Sequence, residues 1–284
     1  MVQIKSKREI DLMRQAGKLV AKVLMQLTEK AKPGVTLEEL DRLAEELTLS
    51  YGAKPAFKGY IGYKHTLCTS VNEQVVHGIP SKRELKDGDI IGLDFGLVYN
   101  GFYGDSAVTV SVGENISDRA MKLMQVTKDS LYAAIDASRA GNTLKDIAKA
   151  IEATVTPHGY GIVREFVGHG IGMKLHEDPQ IPNYEAGASG FKLKPGMTIA
   201  IEPMINEGTH QVKVLSDKWT AVTADSKLSA HYEHTLCITD GEPEILTSWD
   251  DAFQNTFQSL TSFSDWKKGA YGERGLNPSG GNGR

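Results

Sequence analysis

An acid closes an apolar strand at two matching places in this chain, and that repetition limits the folds open to it. The segment LKDGDIIGLD (85–94) matches LKPGMTIAIE (193–202), so Asp94 stands opposite Glu202. Upstream, KPGVTLEELDRLAEELTLSYG (32–52) resembles RAGNTLKDIAKAIEATVTPHG (139–159). There Gly34, Thr36, Leu37, Leu40 and Gly52 align with Gly141, Thr143, Leu144, Ile147 and Gly159. Similarity at a fixed long period implies two related halves, each with helices followed by strands. Chance could supply the helical part, but it does not readily place an acid at the end of both apolar strands. A site at the interface of the two halves is the simplest reading.

The local signals fill in this frame. A helix is expected from about Ser6 to Lys30, with Ser6 and Glu9 as a capping box and a break at Pro33-Gly34. Thr36 caps a second helix, with Glu39 three residues on. Residues 49–82 are looser, with a short strand near Leu67–Asn72. From Trp249 to Trp266 an aromatic stripe predicts one amphipathic helix, and GERGLNPSGGNGR reads as a flexible tail. The expected organisation is one catalytic domain of two halves over 1–248, followed by a helix and tail over 249–284.

Composition excludes several classes. A net charge of −4 gives no basic footprint for nucleic acid or an anionic membrane. No apolar run approaches the roughly 20 residues of a membrane span. The first 17 residues lack a secretory apolar core. Two cysteines, Cys68 and Cys237, are too few for a disulfide framework. A reducing cytoplasm is the expected location.

The chemistry concentrates in DIIGLDFGLVYNGFYGDSAVTVSV. Asn100-Gly101 is the preferred pair for a two-residue hairpin turn. That turn would pair Tyr99 with Phe102, Gly96 with Asp105, and Asp94 with Ala107. Asp94 and Asp105 then share a face as diagonal neighbours, roughly 7–8 Å apart. Bare acids in an apolar sheet are costly unless paired, ligated or neutralised. Glu202 before Pro203, Glu233 in LSAHYEHTLCIT, and His169 in the loop-like VGHGIG complete a set of four carboxylates and one imidazole. Such a set suits hard or borderline divalent ions. Two of them would balance the four negative charges and activate a water.

Competing motifs fail. GHGIGM has Met173 where a dinucleotide loop needs glycine, and His176-Glu177 lacks the second histidine of HExxH. No GxSxG elbow exists.

Seven spaced passages resemble the type I methionine aminopeptidases. They lie at Val71–Pro80, Asp87–Gly96, Gly101–Ser106, Gly168–Gly172, His176–Tyr184, Ile199–Pro203 and Tyr232–Thr235. The resemblance implies an α+β pita-bread fold: a pseudo-twofold, curved antiparallel sheet covered by helices. It implies two divalent ions (Co, Mn, Fe or Zn) held by Asp94, Asp105, His169, Glu202 and Glu233, with Asp105 and Glu233 bridging. A metal-bound hydroxide would attack the first peptide bond, with Glu202 as proton shuttle. His77 would contact the substrate amide and His176 would steady the oxyanion. Tyr60, Tyr63, Cys68, Leu175 and Trp219 would line the side-chain pocket. Leu175 replaces the Phe of many relatives.

His231 stands where Gln is expected, two residues before Glu233 and so on its face if one strand spans both. There its protonation would weaken the hold of Glu233, with the direction of its own pKa shift open. The implied activity is removal of initiator methionine before a small second residue. The implied partners are polypeptide N-termini, with the ribosome as a candidate and a monomer as the expected state. An X-Pro aminopeptidase or prolidase is the runner-up, although those usually carry an extra N-terminal domain. A metal-free binding protein is the remaining alternative, disfavoured by five intact ligand positions.

Overall fold

Helix starts repeat between the halves of this computed structural model, which describes residues 2–249. Ser6 caps α1 (Lys7–Lys30) and Thr36 caps α2 (Leu37–Ser50). In each, the hydroxyl accepts from the backbone N–H three residues on, and the glutamate there takes the cap residue's own N–H. After α3 (Asp118–Ala137), Asp146 likewise takes the N–H of Thr143, and its hydroxyl, at the head of α4 (Leu144–Val155). The backbone repeats with it. The N–H of Gly34 donates to Leu85 O and that of Gly141 to Leu193 O, at 2.8 and 3.0 Å. Thr36 bridges Glu84 just as Thr143 bridges Lys192. The repetition read from the sequence is therefore physical.

The first half carries β1 (Lys54–Pro55), β2 (Leu67–Val71), β3 (Gln74–Val76), β4 (Ile90–Tyr99) and β5 (Phe102–Ser111). The second carries β6 (Gly161–Ile162), β7 (Gly168–Gly170), β8 (Glu177–Ile181), β9 (Thr198–Ile201) and β10 (Met204–Asn206). It continues with β11 (Val212–Val214), β12 (Ala221–Thr223), β13 (Ser229–His231), β14 (Glu233–Cys237) and β15 (Glu244–Ile245). One antiparallel sheet runs β1-β4-β5-β14-β9-β7-β8, with β2 also on β4 and β15 also on β14. The halves join where β5 meets β14.

Alternation decides which face does what. Ile91, Leu93, Phe95 and Leu97 of β4 bury in one core with Val20, Leu24 and Leu27 of α1. The intervening Gly92, Asp94 and Gly96 therefore face the other way. Gly17 permits the tight seat of α1, since a Cβ there would lie 2.2 Å from Leu246 O.

Three expectations needed revision. His169 lies in β7, a strand of the main sheet, rather than in a loop. Gly168 and Gly170 allow this, because a Cβ on either would come within 2.4 Å of a neighbouring carbonyl. His231 and Glu233 do not share a strand: the chain changes sheet at Tyr232, with β13 on β10 and β14 between β5 and β9. Trp249 is buried against Tyr232 and His234, so the first residue of the expected C-terminal helix belongs to the core. The rest of that helix and the tail lie outside the described residues.

Candidate metal centre

Strand register alone brings the five candidate ligands together. Asn100 and Gly101 take positive φ (51° and 83°) and close the hairpin in the expected register. Asp94 pairs with Ala107, and Ala107 pairs in turn with Glu233 on β14. One step beyond the pair His234–Ile201, Glu202 stands across from Glu233. The row thus reads Asp94, Ala107, Glu233, Glu202. The next row on that face reads Gly96, Asp105, Thr235, Ala200, His169. Thr235 is locked to Asp105 twice: its hydroxyl accepts from Asp105 N–H (3.2 Å) and donates to Asp105 O (2.8 Å). Every acid and the imidazole project from one face, separated by small residues that leave room above the sheet.

The electrostatics call for a cation. Asp105, His169 and Glu233 are buried, with ligand atoms all within 4.8 Å of one another. Asp105 Oδ1 and Glu233 Oε1 have no hydrogen-bond partner. Burial pushes Asp94 up to about 7. Burial, then the neighbouring acids, push Asp105, Glu202 and Glu233 well above the usual carboxylate range. His169 is set up as a ligand. Its Nδ1 lies 2.9 Å from Gly170 O, which can only accept, so Nδ1 carries the proton and the Nε2 lone pair faces Glu202 Oε1 at 3.6 Å. Burial lowers its pKa to about 3, which keeps it neutral and able to ligate. Asp94 and Glu202 flank the trio. An oxygen-rich set with one imidazole and orphaned buried oxygens fits divalent cations.

A cavity of about 200 Å³ opens on this cluster. Tyr60, Tyr63, Cys68, His77, Leu175, His176 and Trp219, all anticipated from the sequence, line it together with the five ligand positions. Cys68 pairs with Asp94 across β2 and β4 and so extends the acid row into the pocket wall. Phe57 and Ile61 also line it. Neither was anticipated, though both lie in the same run, AFKGYIGY, as the two tyrosines. His77 sits at positive φ (58°) and is lowered to about 4 by burial and by His176. Tyr60 O–H lies 2.8 Å from His176 Nδ1, and the two rings stack. His231 does not line the cavity. It is buried, with an Nε2 that has no hydrogen-bond partner and lies 3.9 Å from Glu202 Oε2. Burial, then His77, hold it at about 3. It therefore stays neutral near physiological pH and approaches Glu202 rather than Glu233.

The model of metallopeptidase family M24 matches residues 11–240. The methionine aminopeptidase of Clostridium perfringens is 51% identical over 247 residues, covering 87% of this chain and 99% of its own. The chain belongs to the methionine aminopeptidase family. Among solved structures, the methionine aminopeptidase of Thermotoga maritima is 48% identical with a TM-score of 0.85, covering 87% of this chain and 99% of that one. The prolidase of Pyrococcus furiosus shares the fold at 25% identity and a TM-score of 0.71, but this chain covers only 65% of it. The architecture is thus the mixed α+β pita-bread fold. The family is one of metal-dependent peptidases, in keeping with the buried acid cluster. None of the described helices is long and apolar enough to cross a membrane.

Proposed function

We propose that this protein removes the N-terminal methionine from polypeptides whose second residue is small. Asp94, Asp105, His169, Glu202 and Glu233 would hold two divalent ions, with Asp105 and Glu233 shared between them. The observation that carries this reading is the two-row register, which gathers four carboxylates and one imidazole on one sheet face beside an apolar cavity. Bound ions would supply an activated water and polarise the peptide carbonyl.

The protein's own residues do the rest. A free α-amine is drawn to a carboxylate-lined site, which favours an exopeptidase over an endopeptidase. Tyr63, Cys68, Leu175 and Trp219 offer a soft apolar wall for a flexible thioether. His77 and His176 are both held below the usual imidazole range, so each is neutral with one N–H to donate. His77 would donate to the substrate amide and His176 to the oxyanion as it forms. Glu202, a carboxylate whose pKa is raised, is suited to carry the proton from water to the leaving amine. Polypeptide N-termini are the partners this chemistry requires, in the cytoplasm and by a monomer, with the ribosome as a candidate site of encounter.

Turnover of the metal-loaded protein on Met-Ala, Met-Leu and Ala-Pro peptides tests the reading. Met-Ala should be cleaved well and Met-Leu poorly. Preferential cleavage of Ala-Pro would transfer the protein to the X-Pro peptidases.

A further inference from the structure

The turn bearing His176 is held from the opposite end of the chain. Lys5, ahead of α1, is buried, and its Nζ lies 2.5 Å from Glu177 Oε2. The other oxygen, Glu177 Oε1, accepts the backbone N–H of Lys174 at 3.2 Å. Glu177 therefore ties both ends of the segment 174–177, on which Leu175 and His176 stand. The arm carrying Lys5 is itself fixed, because Lys5 N–H donates to Gly196 O at 2.7 Å, in the turn before β9. Gly172 makes way for the lysine stem: a Cβ there would lie 2.4 Å from Lys5 Cε. Tyr103 N–H on β5 secures Gly172 O at 2.8 Å.

We propose that the largely buried Lys5–Glu177 ion pair positions His176 for the reaction; neither Lys5 nor Glu177 lines the cavity. The proposal rests on the role given to His176 above. A buried pair broken from one side leaves an uncompensated charge. A misplaced catalytic group also costs rate steeply, with losses on the order of 100-fold for about 1 Å. A tether differs from a purely structural pair in what repair achieves. Lys5→Met strands the Glu177 charge. Lys5→Met with Glu177→Gln removes that charge and restores Tm; the glutamine carbonyl can still take the Lys174 N–H, but the segment is no longer tied to the N-terminal arm.

The experiment measures Tm, kcat and KM on a Met-Ala peptide, and amide exchange over 172–177. The parent, Lys5→Met and the double variant are compared. In the double variant Tm should return to within a few degrees of the parent. Its kcat should stay about 10-fold or more below the parent with KM nearly unchanged, since an oxyanion donor acts in the transition state. The 172–177 amides should exchange faster. If kcat returns together with Tm, or if those amides exchange as in the parent, the pair is structural only and the proposal falls. Should the parent itself fail on Met-Ala, the aminopeptidase reading fails, while amide exchange still reports on the tether. If Lys5→Met does not fold, the double variant against the parent decides.

Discussion

Ala107 has no chemistry of its own, yet the site depends on its being small. It is fully buried and pairs with both Asp94 and Glu233, in the row where the ligands converge. Ala107→Leu should fill the space between the two acids. The expected result is loss of tight metal binding at a stability cost of about 1–3 kcal/mol, read by metal content after dialysis and by Tm. Asp105→Asn makes the complementary test, keeping the volume and removing the charge. Loss of partners outside the ligand sphere typically costs about 10–100-fold. Loss of the proposed bridge should therefore cost at least about 100-fold in turnover, together with one bound ion. Two tightly held ions and near-normal turnover would remove Asp105 from the centre. Asp105 was readable because Asn-Gly dictates the hairpin register. The role of Ala107 was not, since an alanine in a strand carries no local sign of what faces it across two pairings.

At the scale of elements, the end of the described chain supports the site more closely than the sequence suggested. Thr247 Oγ1 receives the backbone N–H of Thr235 at 3.0 Å and lies 3.0 Å from His234 Nδ1. Thr235 in turn holds Asp105. Trp249 closes over His234, with ring centroids 4.3 Å apart. Truncation after Leu246, which the aromatic stripe made look harmless, should cost about 3–5 kcal/mol from loss of the Trp249 packing alone, and should loosen metal binding through Thr235. Truncation after Trp249 should leave both Tm and peptide turnover nearly unchanged, if residues 250–284 form a segment separate from the catalytic domain. Denaturation midpoints and turnover of the two truncations check this, and a large loss of turnover in the protein ending at Trp249 would overturn it. The helix caps were legible because each is written in four consecutive residues. The strand break at Tyr232 was not. Alternation continues through it in the sequence, and only the competing partners β10 and β5 decide where the chain changes sheet.

For the whole molecule, four acids gathered at the junction of two halves, with Asp105 and Glu233 buried and Asp94 and Glu202 half-buried, mean that fold stability and metal binding oppose each other through pH. Asp94 is raised to about 7 by burial, and Asp105, Glu202 and Glu233 are raised further above their ordinary values by burial and one another. A raised folded-state pKa means that the folded protein binds more protons than the unfolded chain between the two values. Unfolding free energy then falls as pH rises across that window. The stabilising contribution is full below the unfolded carboxylate range and is lost as pH climbs through about 7 for Asp94. Cations reverse the sign, because they bind the deprotonated ligands and compete with protons. Histidines that burial holds neutral, such as His77, His169 and His231, pull the other way below about pH 6.5, so the acids act alone only above it. Chelated protein should therefore melt at a higher temperature near about pH 7 than near about pH 8.5, whereas metal-saturated protein should melt higher at the alkaline end. Thermal melts at both pH values, with and without saturating Mn²⁺, measure both slopes. If chelated protein instead melts higher at about pH 8.5 than at about pH 7, burial does not hold these acids protonated, and this account of the cluster falls.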